Sequence, residues 1–141
     1  ANGLKIEGGN TAVQNKLITG EYHVGIIGEE NILKMAAKGE PLKVAYATDG
    51  AVILPSPIAI FAGTQNPEAA KAVTDWWLSK EGQQAIVTKG WMHSVRDDVA
   101  PPKGAPDKAA ITKNSPMLDW AKFAKEAEKI KETFRKLVME K

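Results

Sequence analysis

The chain has 141 residues and no cysteine, which excludes a disulfide framework, a cysteine-based zinc site and thiol catalysis. Histidine is scarce as well, with only His23 and His93 and no clustered carboxylate to complete a metal site. Charge of one sign is also lacking. The 19 basic residues barely outnumber the 17 acidic ones, for a net charge of +2. A dedicated nucleic-acid binder shows a strong basic bias, so a nucleic-acid partner is not expected. No apolar run reaches the roughly 18 residues of a membrane-crossing helix. The longest, Ala51–Ala62, is broken by Pro55, Ser56 and Pro57.

Enzyme motifs are missing too. Gly25-x-x-Gly28 has neither the third glycine of a dinucleotide fingerprint nor the Gly-Lys-Ser/Thr end of a phosphate loop. No nucleophile elbow of the G-x-S-x-G kind occurs. His93 and Ser94 are adjacent, and neighbours on an extended chain point to opposite faces, so they do not form a catalytic pair. The expectation is a protein that is not an enzyme and uses no cofactor and no metal.

What remains is 43% hydrophobic and 26% charged, an ordinary globular composition. A compact chain of this size buries about two-thirds of its unfolded surface. The first residue is Ala1 and not methionine, which suggests a removed leader or a piece of something longer.

Punctuation along the chain suggests alternating helices and strands. Asn10 or Thr11 caps a short helix over Ala12–Ile18 that Gly20 stops. Glu21–Ile27 reads as a strand with Tyr22, Val24 and Ile26 on one face. Gly28-Glu29-Glu30 turns into a helix over Asn31–Lys38, ended by Gly39 and Pro41. Lys43–Ala47 reads as a second strand. Ala51–Leu54 and Ile58–Ala62 read as two strand pieces with a bend between them. Asn66-Pro67-Glu68 opens a helix, and Ser79-Lys80-Glu81-Gly82 opens another that runs through Val87 and ends by Gly90. Trp91–Val95 is extended and Asp97–Pro116 is a surface loop. A last helix starts at Ser115 and Pro116, with Leu118, Trp120, Phe123, Ala127, Ile130, Phe134 and Leu137 as its apolar stripe. This order predicts an α/β fold.

Candidate binding residues follow from placement. Glu29 and Glu30 stand between a strand end and a helix start, where open α/β sheets hold ligands; they also suit the positive end of that helix. Asn10 and Thr11 sit at a helix start whose free N–H groups favour an anion or a plain cap. The last helix carries seven basic and five acidic residues from Ser115 on, as a solvated outer face does. Trp76 and Trp77 point about 100° apart on their helix and suit a core better than a stacking platform.

Three segments together resemble a known family. They are Thr19–Ile27 (TGEYHVGII), Asp49–Ile60 (DGAVILPSPIAI), and Gln65–Val73 (QNPEAAKAV) with Leu78–Gln84 (LSKEGQQ). The chain is similar to the C-terminal half of a bacterial solute-binding protein of ABC transporters. The nearest likeness is to the ferric-ion, sugar-phosphate and aminophosphonate branch of the type II periplasmic-binding fold. The resemblance implies a fragment of a two-lobed α/β protein with its ligand in the cleft between lobes. Residues 1–47 would belong to the second lobe, 48–62 would be the crossing hinge segment, and 63–141 would return to the first lobe.

The same resemblance implies capture of a small polar or anionic solute and delivery to a membrane permease, in a periplasmic or otherwise extracytoplasmic setting with a lipid anchor in some cells. Matched positions make Gly28, Glu29 and Glu30 the candidate ligand loop. Asp49 and Gly50 form a second group, and Asn10 and Thr11 a helix start for an anion. Where ferric binders carry tyrosines this loop has acidic residues, which suit sugar hydroxyls or a cationic amine. A piece that supplies half of two lobes also exposes apolar surface, so a self-associating, domain-swapped homodimer without ligand binding is the alternative expectation.

Overall fold

A computed structural model of the chain describes residues 3–116 and 118–139. Ala1, Asn2, Met117, Glu140 and Lys141 lie outside the described residues, so the ends of the expected first segment and the second residue after Ser115 are not covered. The elements run α1 (Asn10–Ile18), α2 (Glu29–Ala36), α3 (Pro67–Leu78), α4 (Lys80–Ala85), a π-helical turn (Ile86–Gly90), α5 (Lys108–Thr112), α6 (Trp120–Phe134) and a second π turn (Arg135–Met139).

Among the described residues there is no strand and no sheet, so the chain is not the α/β fold that the sequence predicts. The expected strands at Glu21–Ile27, Lys43–Ala47, Ala51–Leu54 and Ile58–Ala62 are irregular chain without a ladder. A strand exists only by pairing its N–H and C=O groups with a neighbour, and period-two patterning cannot supply that neighbour. Val24 and Ile26, expected on a buried face, are 85% and 91% exposed. The Tyr22 N–H returns instead to the Lys16 carbonyl of α1, at 3.0 Å. Val13 and Leu17 of α1 lie against Gly25, where a β-carbon would come within 2.8 Å of Val13.

The helices follow local signals more closely. Pro67 takes the first position of α3 after Asn66, although the cap contact is made by Thr64, whose Oγ1 accepts from the Asn66 N–H. Ser79 caps α4: its hydroxyl accepts from the Gly82 N–H and donates to the Trp76 carbonyl. Gly82 itself packs on the α3 end so tightly that a β-carbon would fall 2.1 Å from the Trp76 carbonyl oxygen. Asn10 and Thr11 lie inside α1, which Gly9 precedes, so neither is its cap. Asp107 and Asp119 cap α5 and α6. The last helix therefore begins after Asp119 and not at Ser115, and a helical turn interrupts the expected loop.

The core these elements enclose is small. Ile32 and Leu33 of α2, Val87 of the π turn and Pro102 are buried, with Leu33 against Gly104. Polar closure adds to it. Gln83, 2% exposed, donates from Nε2 to the Trp77 carbonyl, and its Oε1 accepts from the Ser94 hydroxyl and the Val95 N–H. The motif LSKEGQQ is thus a device for turning α3 into α4 and tying the following chain back to it.

The accessible surface is 10807 Å². A compact monomer of this mass exposes roughly 7,100 Å². The excess is about 3,700 Å² on that scaling, so the chain buries about half of its unfolded surface and not the expected two-thirds. Val52, Leu54, Phe61, Val73, Leu137 and Met139 are among the large apolar side chains left outside.

The N-terminal segment is held by charge. The Tyr22 hydroxyl donates to Glu7, while Lys16 pairs with Glu7 at 3.0 Å and with Glu21 at 3.1 Å. The Tyr22 bond first, and Lys16 second, hold the Glu7 carboxyl below its ordinary value. A carboxyl lowered on folding contributes stability that is complete above its unfolded value and lost as pH falls through its folded one. The Tyr22 ring resonances should therefore stay constant from neutral pH down to about pH 5 and move below about pH 4. In Glu7→Gln that acid step should vanish, and a step unchanged in the variant would contradict the assignment.

Candidate functional site

Three separate parts of the chain meet at the Glu29 carboxylate. Glu29 is the first residue of α2, after Gly28, which adopts an extended conformation and starts the helix. The Tyr46 hydroxyl donates to Glu29 Oε2 at 2.7 Å. His93 Nε2 lies 2.9 Å from Glu29 Oε1, with both side chains about one-fifth exposed. The distance is that of an ion pair, but the ring N–H is not aimed well enough for a hydrogen bond, and Nε2 is shut off from solvent without another partner. Burial first, then the bond to Glu29, raises the Tyr46 phenol well above its ordinary value and keeps it neutral.

The chain reaches His93 by an unusual path. After α4 the helix widens into a π turn and ends on Trp91, whose φ of 61° and ψ of 21° are left-handed. A non-glycine residue there costs about 1–2 kcal/mol. The turn puts His93 on the Glu29 side and Ser94 on the Gln83 side. This agrees with the opposite-face reading of that pair.

The other residues expected at a site are distributed unevenly. Glu30 folds back over Gly28 and accepts from the Asn31 side chain at 2.7 Å, so it supports the turn and does not join the Tyr46–His93 cluster. Gly50 lines a groove of about 310 Å³ together with Tyr46, Thr48, Pro106, Ile111 and Asn114. At φ 127°, Gly50 has the Asn114 carbonyl oxygen pressed on it, 2.1 Å from where a β-carbon would sit, and the Asn114 side chain donates to the Thr48 carbonyl. Asp49 beside it is exposed and does not line the groove. Asn10 and Thr11 of α1 have no side-chain hydrogen bond to this cluster. Tyr46 and His93 were not found from the sequence, because both lie on extended chain far from Glu29 and carry no local motif.

Chemically, the cluster offers a carboxylate already approached by one hydroxyl and one imidazole, and it is joined through Tyr46 to a groove with no charged lining residue. Carboxylate and hydroxyl oxygens accept hydrogen bonds from a ligand's O–H or N–H groups. A second groove of about 690 Å³ runs past Arg96, Asp97, Asp98, Asp107 and Lys108. Its charges are spent on each other. Arg96 clasps Asp98 through Nε and Nη2, Lys108 pairs with Asp97, and Asp107 caps α5. Asp98 first, through its hydrogen bond, raises Arg96, and Arg96 first lowers Asp98. That groove has no cation to spare for an anion. No group of three or more histidines, aspartates or glutamates among the described residues could hold a metal ion.

No curated protein and no solved structure matches the chain. The family model described as bacterial extracellular solute-binding protein matches residues 1–117. That span takes in α1 to α5, the Glu29–Tyr46–His93 cluster and both grooves. The chain therefore belongs to the bacterial extracellular solute-binding protein family.

Proposed function

We propose that this chain takes part in capturing a small polar solute outside the cytoplasm, for delivery to an ABC-type permease, and that Glu29 and Tyr46 supply the recognition. The observation that carries the reading is Tyr46, which lines an uncharged groove and whose hydroxyl is bonded to the Glu29 carboxylate that His93 also approaches. The family supports solute binding, which requires no covalent chemistry. A carboxylate favours hydroxyls or a single cationic amine and repels an anionic solute. Residues 48–62, helix-free between α2 and α3, are the segment that connects 1–47 with 63–141 and whose bending would close the groove.

Thermal-shift titration with polyols, small alkylamines and organophosphates tests this. A stabilising shift is expected with one of the first two classes, and it should be lost in Glu29→Gln. A shift given only by the organophosphates, or one that Glu29→Gln leaves intact, would sink the reading. The open groove favours weak binding, so millimolar solute is needed, on the order of 4 kcal/mol of affinity.

The excess surface of the chain favours a second reading, in which it associates with itself.

A further inference from the structure

Between Gly50 and Pro67 the chain has no charged residue. Within that run the large apolar side chains are outside: Val52 is 69% exposed, Leu54 71%, Phe61 79%, and Ile58 and Ile60 about two-fifths. From Ala51 to Ile60, among the described residues, no main-chain group makes a main-chain hydrogen bond within the chain. Apolar, uncharged chain with free N–H and C=O groups is a template for strand pairing, and proteins normally block such templates with lysine or cover them. No lysine blocks this one. Pro55 and Pro57 divide it and leave Ile58–Ala62 without a proline, with Ile58, Ile60 and Phe61 as its strand-favouring residues.

We propose that Ile58–Ala62 pairs antiparallel with the same segment of a second copy of this chain, across a two-fold axis; this rests on the self-association reading. Two features select a second copy as the occupant. The surface in excess of a compact monomer, about 3,700 Å² per chain by mass scaling, is more than the roughly 1,000–2,500 Å² that each partner of a large obligate dimer buries, so it has room for such an interface. And a segment without charge can face its own copy without like-charge repulsion, as an isologous interface requires. Pairing gives partners to the main-chain groups of alternate residues, while the Phe61 carbonyl keeps its bond from the Thr64 N–H, and it places Ile58 with Ile60 on one face and Ala59 with Phe61 on the other. The apolar stripe of α6 is a poorer candidate. Its helix satisfies its own main chain, and charged residues flank the stripe.

The test is light scattering after size exclusion over a dilution series, combined with amide hydrogen exchange, on the wild-type chain, Ile60→Lys and the control Phe134→Lys on α6. The expected result is a wild-type dimer with slowed exchange at alternate amides of Ile58–Ala62. Ile60→Lys should weaken it at least about tenfold, and Phe134→Lys should leave it intact. Ile60 is exposed in the single chain, so far-UV circular dichroism of its variant should match the wild type. A wild-type monomer at all concentrations would overturn both self-association and strand pairing. A dimer with fast-exchanging Ile58–Ala62 amides, or one broken by Phe134→Lys and not by Ile60→Lys, would keep self-association and overturn the pairing.

Discussion

Gln83→Ala should lower the unfolding free energy of the chain by roughly 2–3 kcal/mol, because it removes three hydrogen bonds, one to a buried and two to part-buried groups, at up to about 1 kcal/mol each. Those groups are the Trp77 carbonyl, the Ser94 hydroxyl and the Val95 N–H. At 2% exposure, the site gives water little room to replace the lost amide. The loss is large for this chain in particular, since its buried apolar side chains are few and domains of this size are stable by only about 5–15 kcal/mol. Ser94→Ala removes one bond to Gln83 and the acceptor of the Arg96 N–H, so it should cost less, about 1–2 kcal/mol. Denaturant unfolding at fixed protein concentration measures both. Equal effects of the two substitutions, or a Gln83→Ala cost under about 1 kcal/mol, would show that the amide is not the tie between α4 and the following chain.

Glu29→Ala should give the second-largest effect and act at two levels. It removes a charge-assisted acceptor from Tyr46 and the carboxylate that His93 faces, a loss of about 1.5–3 kcal/mol for a largely enclosed group. It should also move the Tyr46 phenol to a lower titration pH. Burial would still hold it up, but the contribution of the carboxylate would be gone. Ultraviolet titration of the two tyrosines reads this directly, because Tyr22 is raised by its own partner, Glu7, and should not change. A Tyr46 curve identical in the variant would mean that the hydroxyl does not donate to Glu29 in solution. Glu29→Gln should keep part of the stability, since an amide oxygen still accepts from Tyr46, and lose the charge that the bound solute is proposed to use.

The sequence announces its helices because their signals lie within a few residues. Asn66-Pro67-Glu68 and Ser79-Lys80-Glu81-Gly82 open α3 and α4 where the capping rules place them. Gly39 and Pro41 close the α2 region, and Gly39 has the left-handed φ, 94°, that such an ending uses. The strands failed for the opposite reason. Val24, Ile26, Val52 and Leu54 alternate as strand residues do, but a ladder depends on a distant partner, and none of these segments has one.

The site divides along the same line. Glu29 was legible because a carboxylate at a helix start is a local pattern, and Gly50 because its turn is. Tyr46 and His93 were not, because they meet Glu29 only through the tertiary course of the chain. His93 was further obscured by a π turn and a left-handed Trp91, features that no residue pattern in Ile86–Gly90 signals. Glu30 accepts from the neighbouring Asn31 side chain and Asn10 is the first residue of α1, so neither joins the Glu29–Tyr46–His93 cluster.

The most direct test is a map of backbone amide chemical shifts while the solute that stabilises the chain is added. The account predicts that the perturbed amides cluster at Gly28–Asn31, Tyr46–Gly50 and around His93 and Asn114, and that Glu29→Gln removes them. Perturbations gathered along Arg96–Thr112, or unchanged in Glu29→Gln, would contradict it.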